Sequence, residues 1–248
     1  MSETKVEAVV KVISPSQDSE VEVNTRTPRD GLGVLHLFCK ARDSFDGEQF
    51  QSTCKQAKED GLLLVTFGVL GHKADAGLMA VGADLWSLRK FQSEIQRTGL
   101  EVVDSYVSIT EVSEYASKVP EEQKRLRLYP KRLPPKGTTA ICFYPMSKRR
   151  DVGQNWFSLP YEERERLMFE HGASGRAFAG RVVQLVTGSA GLDDYEWGVT
   201  LFAERPDDLK DVVYTMRFDE ASAVYAEFGP FYAGIMVDPE ELAAQLVR

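Results

Sequence analysis

The sequence predicts an α+β protein built from two copies of one β-α-β-β-α-β unit. Its 248 residues are 43% hydrophobic, which is enough to bury one large core or two small ones. Strand-like and helix-like segments recur in the same order on either side of a basic, proline-rich spacer. Six elements repeated in one order are expected of a duplicated ferredoxin-like unit, whose two sheets pack face to face or close into a barrel.

The chain begins with an N-terminal arm, residues 1–32, which is polar, lacks hydrophobic periodicity and ends in the turn-prone run RTPRDGLG. The N-terminal half, residues 33–116, then alternates strand and helix signals. In order, these are strand GVLHLFCKA, helix EQFQSTCKQAKED, strand LLLVTFGVL, turn GHKADAG, strand LMAVGA, helix DLWSLRKFQSEIQRTG and strand EVVDSYVSI. Together they make up the first predicted unit.

The spacer, residues 117–137, is rich in Lys, Arg and Pro and has no sustained apolar period, which favours a mobile linker. The C-terminal half, residues 138–248, repeats the order of elements. Its segments are strand TTAICFYPMS, helix PYEERERLMFEHG, strand RVVQLVTGS, turn AGLDD, strand YEWGVTLFA, helix DLKDVVYTMRF and strand AEFGPFYAGIM. The two halves align best at their second helices, DLWSLRKFQSEI and DDLKDVVYTMRF.

Charge and cysteine content limit the classes of function. The net charge of −8 argues against a nucleic-acid partner, but the basic spacer and the run SKRR indicate a local site for anions. No signal peptide is recognisable and no stretch approaches the ~20 apolar residues of a membrane span, so we expect a cytoplasmic protein. The widely spaced Cys39, Cys54 and Cys142 are expected to be buried free thiols.

The three histidines have different predicted settings. His36 lies in the alternating run VLHLFC and is expected to be structural, whereas His72 lies in a turn and is expected in solvent. His171 falls in the predicted last turn of a helix that begins near Pro160 and ends at Gly172. Two interpretations stay open for His171, a packed histidine or a metal ligand. Zinc partners are missing at suitable spacing, but one imidazole suffices if a porphyrin supplies the other donors.

The strand TTAICFYPMS carries a second candidate site. Because side chains alternate along a strand, Cys142, Tyr144 and Met146 share one face. Lys148, four positions beyond Tyr144, falls on the same face. A strand tyrosine usually belongs to a core or an interface, and that alternative stays open. An aromatic ring, a thioether and cations nevertheless share one neighbourhood.

The C-terminal half resembles the coproheme decarboxylase branch of the chlorite dismutase-like superfamily. The resemblance lies in FYPMSKRR, NWFSLPYEERERLMFEHG, GRVVQLVTGSAGLDDYEWGVTLF and MRFDEASAVYAEFGPFY, and it runs from about residue 138 to 236. The N-terminal half agrees in architecture rather than in motif. The resemblance implies two ferredoxin-like halves forming a dimeric α+β barrel within one chain, with an iron porphyrin held only in the C-terminal half.

In that family, hydrogen peroxide oxidises the iron, the oxidising equivalent passes to a tyrosine, and the radical attacks a propionate, which becomes a vinyl group as carbon dioxide leaves. Two rounds, through a three-propionate intermediate, convert Fe-coproporphyrin III (coproheme), both substrate and redox cofactor, to haem b. By this resemblance His171 is the proximal iron ligand, Tyr144 the redox-active tyrosine and Lys148 the residue that handles protons. A surface lysine is the alternative for Lys148.

The resemblance also implies which residues hold the porphyrin. Met146, Arg217 and Ser222 match family positions that line the propionates. A spacer arginine, Arg127 or Arg132, is expected to add to them, because buried carboxylates need cations or hydrogen-bond donors.

Gln184, in RVVQLV, stands where true chlorite dismutases have an arginine. A neutral amide supplies no charge to retain chlorite-derived intermediates, so we expect decarboxylation rather than chlorite decomposition. Glu220 is a candidate partner of His171 from rough spacing. Trp156 and Trp197 are expected to be packing residues. Trp156 is nevertheless close enough in sequence to the helix that carries His171 to be oxidised in a side reaction.

Rival functions stay open on the sequence alone. One is a haem peroxidase or weak chlorite dismutase, and another is a non-enzymatic haem carrier or sensor, because a fold does not determine a function. The presence of both Tyr144 and Lys148 favours the decarboxylase. The resemblance further implies a homopentamer that makes transient contact with the coproporphyrin ferrochelatase.

Overall fold

The computed structural model describes residues 26–117 and 119–247. Within them it has eleven strands, seven α-helices and one short 3-10 helix, Trp156–Ser158. The strands are β1 (Gly33–Ala41), β2 (Leu63–Val69), β3 (Ala76–Gly82), β4 (Leu100–Thr110), β5 (Ala140–Lys148), β6 (Arg150–Asp151), β7 (Gln154–Asn155), β8 (Val182–Gly188), β9 (Trp197–Ala203), β10 (Ala226–Phe228) and β11 (Tyr232–Met236). The helices are α1 (Gly47–Glu59), α2 (Leu85–Arg97), α3 (Glu121–Leu128), α4 (Tyr161–Arg176), α5 (Pro206–Met216), α6 (Glu220–Ala223) and α7 (Pro239–Leu246).

The two halves of the chain have the same strand order. In the N-terminal half the antiparallel order is β4-β1-β3-β2, and in the C-terminal half it is β11-β5-β9-β8. In each half the fourth strand therefore lies beside the first, and the third lies between the first and the second. β11 pairs with the first part of β5, and β10 pairs with its last three residues on the same edge. This shared order confirms the predicted duplication.

The two sheets join into a closed barrel. β4 pairs with β8, and β11 pairs with β2, so the fourth strand of each half borders the second strand of the other. Eight strands then form a continuous ring, which confirms the predicted dimeric α+β barrel. The barrel interior is packed with side chains from both halves, which include Val34, Phe38, Phe67, Met79, Ile141, Phe143, Phe202 and Tyr232.

His36 lies inside this barrel, which confirms the structural role predicted for it. Its side chain is fully buried and stacks on Phe143, with ring centroids 4.1 Å apart. Nε2 lies 3.0 Å from the Thr200 hydroxyl oxygen, and burial lowers the pKa of the imidazole to about 3. His36 is therefore a neutral core residue that links the two halves.

The outer face of the N-terminal half is covered by helices. Alternate residues of β1, Leu35 and Leu37, pack with Phe50 of α1 and with side chains of α2 and α7. Helix α1 begins after Asp46, whose carboxylate accepts a hydrogen bond from the Gln49 backbone N–H at 2.9 Å and so satisfies one of the helix's free donors. This half thus has a sealed apolar layer on each side of its sheet.

The outer face of the C-terminal half is covered mainly by α5. Cys142 and Tyr144 of β5 pack there with Leu209 and Val212 of α5. Cys39, Cys54 and Cys142 are free and buried, which confirms that prediction. No helix among the described residues is long and apolar enough to cross a membrane.

Several elements differ from the predictions. Helix α4 continues to Arg176, so the predicted end at Gly172 is wrong and His171 lies inside the helix rather than in its last turn. Gly172 stays in the helix because its φ is not positive, and Ala177 follows the last turn. The predicted last strand is divided into β10 and β11, since the chain between them contains Pro230, which has no N–H to donate.

The spacer contains a helix, α3, that its composition did not predict. The spacer is attached to the N-terminal half, because the Thr110 hydroxyl donates to the Leu128 carbonyl at 2.7 Å and the Gly31 N–H donates to the Tyr129 hydroxyl at 3.0 Å. The predicted N-terminal arm falls mostly on residues 1–25, which lie outside the described residues. The division of the chain at residues 33, 117 and 138 stays a prediction.

Candidate functional site

Tyr144 is a buried phenol on β5, the strand at the centre of the C-terminal sheet. Its side chain is 6% exposed and stacks on Phe231, with ring centroids 4.5 Å apart, while Phe228 lies at 5.7 Å. Burial raises the pKa of Tyr144, the neighbouring Cys142 adds to the rise, and Arg217 opposes it. The phenol is therefore protonated at neutral pH, so loss of an electron from this ring must be accompanied by loss of its proton.

Arg217 and Met146 lie near this phenol. Arg217 follows the last residue of α5, and its guanidinium lies 4.8 Å from the centre of the Phe228 ring that also contacts Tyr144. Met146 is half-buried and packs against the same outer core. The structure thus brings Tyr144, Met146 and Arg217 together around Phe228.

Lys148 is a buried cation, so the alternative of a surface lysine is wrong. Its side-chain amino group donates to the Ala221 carbonyl oxygen at 2.6 Å and lies 4.3 Å from the centre of the Trp156 ring. Burial lowers the pKa of Lys148 to about 8, while Asp219 and Glu196 oppose this shift. The lysine therefore exchanges a proton more easily near neutral pH than an exposed lysine does.

Lys148 and Tyr144 share a face of β5 but do not touch. Four residues along a strand correspond to about 13 Å, and the amino group of Lys148 is directed at α6 instead. A direct proton transfer between the two side chains is therefore excluded in this conformation. Any cooperation between them has to occur through a molecule that spans both.

His171 projects from α4 and has a carboxylate partner. Its Nδ1–H donates to Asp219 Oδ2 at 3.0 Å, and the Ser222 hydroxyl oxygen lies 3.3 Å from the same nitrogen. Asp219 is 4% exposed and also accepts the Ser222 backbone N–H at 2.9 Å as the cap of α6. Burial favours the neutral carboxyl, but the hydrogen bonds from His171 and Ser222 outweigh it, and the net effect lowers the pKa of Asp219.

This pairing leaves the other ring nitrogen of His171 available. Because an ionised Asp219 holds the proton on Nδ1, the lone pair is on Nε2, which has no hydrogen-bond partner among the described residues. A histidine that ligates a metal characteristically donates its second nitrogen to a carboxylate in this way. The side chain is 25% exposed, so Nε2 can be reached by a ligand.

The partner proposed from spacing, Glu220, is the wrong residue by one position. Glu220 is exposed and forms an ion pair with Arg166 at 3.1 Å, whereas Asp219 faces His171. Asp is a preferred residue immediately before a helix, so the position of Asp219 as the cap of α6 is a signal that could have identified this carboxylate.

Gln184 lies on β8 and faces the same side of the sheet as Tyr144. It pairs with Leu201 of β9, which pairs with Cys142 of β5, and paired residues in adjacent strands project to one face. Gln184 is exposed, and so is Val186, two residues along the same strand. An open strip of sheet surface therefore borders the covered part that holds Tyr144.

Arg127 is not brought to this cluster. It lies exposed on α3, and among the described residues it has no hydrogen bond or ion pair with any predicted site residue. Arg132 is likewise exposed. The structure thus gathers Tyr144, Met146 and Arg217 in one group and Lys148, His171 and Ser222 in another, with Gln184 facing the same side as the first.

These side chains suit an iron porphyrin. A porphyrin needs one axial donor from the protein, an apolar surface and cations or donors for its carboxylates. His171 provides a directed imidazole, the outer face of β8 and β9 is largely apolar, and Arg217 and Lys148 provide positive charge. Helix α4 fully buries only Leu167, and Phe169 on the same helix is 68% exposed.

Comparisons with known proteins identify the family of this chain. The model of the family "Chlorite dismutase" matches residues 45–237. A protein of Natronomonas pharaonis, provisionally named as heme-binding, is 45% identical over 199 residues, which are 75% of this chain but only 33% of that protein. A coproheme decarboxylase of Staphylococcus saprophyticus is 43% identical over 188 residues, covering 71% of this chain and 74% of that enzyme.

A solved structure supports the architecture. A heme-binding protein from Thermus thermophilus has a TM-score of 0.80 and 36% sequence identity, and the match covers 88% of this chain and 95% of that one. The aligned region thus includes both halves of the barrel. This extends the resemblance beyond the C-terminal motifs.

Proposed function

This chain belongs to the chlorite dismutase family, and we propose that it is a hydrogen-peroxide-dependent coproheme decarboxylase. The observation that carries the proposal is that the C-terminal half holds both a carboxylate-paired imidazole, His171, and a buried phenol, Tyr144. The staphylococcal decarboxylase among its relatives supports the same activity. The substrate is Fe-coproporphyrin III, which becomes haem b through a three-propionate intermediate.

His171 would bind the iron through Nε2. Asp219 accepts the Nδ1–H, which fixes the orientation of the ring and makes the imidazole a stronger donor. The bound iron porphyrin supplies the two-electron chemistry with hydrogen peroxide. Because Asp219 is buried and caps α6, it cannot move without disturbing that helix, so the ligand is held rigidly.

Tyr144 would be the residue that oxidises the propionate. A phenol that gives up an electron and its proton becomes a radical able to remove a hydrogen atom from the propionate side chain. Each conversion balances as –CH2CH2COO⁻ + H2O2 + H⁺ → –CH=CH2 + CO2 + 2 H2O. The Phe228 and Phe231 rings hold the phenol in place and keep water away from it.

Lys148 would exchange the proton that this balance requires. Its lowered pKa, about 8, makes it a better proton donor than an exposed lysine. A propionate that reaches along the β5 face can approach both Tyr144 and Lys148, which do not touch each other. Arg217, Met146 and Ser222 would line the remaining propionates.

Gln184 and Arg127 have lesser proposed roles. Gln184 can donate a hydrogen bond to a bound ligand without adding charge, which favours decarboxylation over chlorite decomposition. Arg127, exposed on α3, would attract the four carboxylates from a distance rather than contact them closely. We further propose a cytoplasmic homopentamer that receives coproheme by transient contact with the coproporphyrin ferrochelatase.

The test is to load the purified chain with ferric coproheme, titrate hydrogen peroxide and follow porphyrin masses by liquid chromatography and mass spectrometry. Two successive losses of carbon dioxide and two hydrogens are expected. Tyr144→Phe should bind coproheme without changing its mass. The control is Tyr232→Phe, because Tyr232 is equally buried, 6% exposed, but lies inside the barrel.

Two outcomes would count against the proposal. If wild-type protein binds coproheme but its mass never changes except by bleaching, a carrier or a peroxidase becomes the better description. If Tyr144→Phe turns over normally, Tyr144 is not the oxidising residue.

A further inference from the structure

Three oxidisable aromatic rings run from the buried side of α4 to the protein surface. Trp156 is 3% exposed, and its ring centroid lies 6.3 Å from that of Tyr115 in an edge-on arrangement. Tyr115 in turn stacks on Tyr161, with centroids 5.7 Å apart, and Tyr161 is 39% exposed. Such separations are those of aromatic pairs in contact. The Tyr225 ring also contacts Trp156, with centroids 5.4 Å apart.

The inner end of this series adjoins the candidate iron ligand. Trp156 forms a buried cluster with Leu167 and Ala221. Leu167 is one helical turn before His171 on α4, and Ala221 is two residues after Asp219. The packing role expected for Trp156 is therefore correct, but its neighbours are the two elements that hold the imidazole.

We propose that Trp156, Tyr115 and Tyr161 form an electron path that carries surplus oxidising equivalents from the porphyrin site to the surface, where small phenolic reductants are oxidised at Tyr161. This proposal rests on the proposed function, because peroxide and a bound iron porphyrin supply the oxidant. It adds a one-electron peroxidase activity at a second site. The path would protect the protein and substrate when peroxide reacts without a propionate in position.

The side chains around Trp156 favour onward transfer. The Lys148 ammonium group lies 4.3 Å from the centre of its ring and opposes positive charge on the indole. An electron vacancy on Trp156 is therefore destabilised and is filled from Tyr115. Trp156 therefore passes the oxidising equivalent on and does not remain a radical itself.

The surroundings of Tyr115 provide for its proton. Arg164 Nε donates to the Tyr115 hydroxyl oxygen at 2.9 Å, and the same guanidinium lies 3.8 Å from the Glu114 carboxylate. Burial raises the pKa of Tyr115 to about 12, the neighbouring Glu114 carboxylate adds to the rise, and Arg164 opposes it. The phenolic proton can thus pass to Glu114 when the ring is oxidised and return when the ring is reduced.

The electrons and protons balance over one cycle. One peroxide supplies two oxidising equivalents, and each removes one electron from Trp156. Tyr115 returns an electron to Trp156 and receives one from Tyr161. Tyr161 then releases its phenolic proton to water. A phenolic donor AH then returns an electron and a proton to Tyr161. The sum is H2O2 + 2 AH → 2 H2O + 2 A•.

The test uses the full chain loaded with coproheme, hydrogen peroxide and a stable nitroxide that adds covalently to tyrosyl radicals. Adducts are located by peptide mass spectrometry. Tyr129 is a matched internal control, because it is 38% exposed, against 39% for Tyr161, but has no ring contact among the described residues. We expect adducts at Tyr161 and not at Tyr129, and none in protein without porphyrin.

Tyr115→Phe should reduce the Tyr161 adduct at least tenfold, since phenylalanine keeps the ring packing but is not oxidised under these conditions. Tyr129→Phe should leave the adduct unchanged. An undiminished Tyr161 adduct in Tyr115→Phe, or equal adducts at Tyr129 and Tyr161 in wild type, would overturn the path. The porphyrin spectrum of each variant verifies that it still binds coproheme.

Porphyrin masses from the same samples separate the two proposals. Decarboxylation without any Tyr161 adduct overturns the path and leaves the decarboxylase standing. A Tyr161 adduct without decarboxylation overturns the decarboxylase and supports the path, because bound iron porphyrin and peroxide are then sufficient to drive it.

Discussion

Helices α1 and α4 hold the same place in the two halves of the chain, because each follows the first strand of its unit. Helix α1 buries Phe50, Cys54 and Ala57, whereas α4 buries only Leu167 although it is three residues longer, 16 against 13. The outer face of the N-terminal sheet is sealed by α1, α2 and α7. The corresponding strip on β8 leaves side chains exposed.

The difference shows that two copies of one fold can differ in how completely their helices cover the sheet. The N-terminal half has an apolar core on each face of its sheet, and its one strand histidine, His36, is fully buried inside the barrel. The C-terminal half leaves α4 free enough to present His171 and leaves sheet surface open for a flat ligand. Under the proposed function, the first copy is closed by packing and the second copy binds the ligand.

The sharpest test of this comparison concerns one phenylalanine from each of the two helices. Phe50→Ala should lower the free energy of unfolding of the apoprotein by about 3–5 kcal/mol, because it opens a cavity in a closed core. Phe169→Ala should change it by no more than about 0.5 kcal/mol, since Phe169 is 68% exposed on α4. Urea unfolding followed by circular dichroism measures both. Equal losses would show that α4 is packed as tightly as α1.

Sequence patterns predicted the fold well where a single period governed an element. The strand GVLHLFCKA was predicted at the residues that β1 occupies. Helix α7 was missed, although Asp238 and Pro239 form a cap and first-turn pair, because the repeat contained no seventh element to suggest it. The end of α4 was misplaced because a glycine can remain helical, and only tertiary packing decides whether it does.

The site was less predictable than the fold. Alternation along β5 places Tyr144, Met146 and Lys148 on one face, but it could not reveal that Lys148 turns toward α6 and away from Tyr144. Asp219 was missed because its contact with His171 spans 48 residues and depends on where α6 begins. Pairings across such separations are set by the packing of elements rather than by local pattern.

The next prediction sharpens the claim that the ligand-binding half is organised around His171. Asp219→Asn should weaken binding of ferric coproheme by about 10–100-fold, because it removes the charge that strengthens the imidazole. Asparagine can still cap α6, so the fold should be retained. The iron–histidine stretching frequency in resonance Raman spectra should decrease, which a merely structural role would not cause.

Glu220→Gln is the control for Asp219→Asn. Glu220 is the adjacent residue, but it is exposed and pairs with Arg166, so its loss should leave the iron–histidine frequency unchanged. A shift in Glu220→Gln of the same size as in Asp219→Asn would mean that the observed partner of His171 is not the one that acts on the iron.

Lys148→Met tests the effect of a buried cation on stability. Among its described residues, the N-terminal half has no buried lysine or arginine. The pKa of Lys148 is lowered from 10.5 to about 8, so between these values the unfolded chain binds more protons than the folded one. The contribution of Lys148 to stability therefore increases as pH rises through this window. Between about pH 7 and pH 9.5, wild-type apoprotein should gain about 2 kcal/mol relative to Lys148→Met.

Urea unfolding at several pH values gives the difference in unfolding free energy between wild type and Lys148→Met. Groups that titrate alike in both proteins cancel in this difference. Lys55→Met is a suitable control from the N-terminal half, because the Lys55 side chain is 80% exposed and should give a difference that does not vary with pH. If the Lys148→Met difference is also flat, Lys148 is solvated in solution and cannot serve as a proton donor of lowered pKa.

The smallest expected effects distinguish the ligand-binding half from the spacer that precedes it. Arg217→Gln should weaken coproheme binding about tenfold, because the Arg217 guanidinium lies over the Phe228 ring beside Tyr144, and a charged hydrogen bond from it to a bound propionate contributes about 1.5–3 kcal/mol. Arg127→Gln should weaken it less than about fivefold, as expected for an exposed charge, and this loss should disappear at high salt. Titration of coproheme at low and high ionic strength measures both. Equal, salt-resistant losses would show that α3 closes over the propionates when the ligand binds, so that the spacer belongs with the C-terminal half.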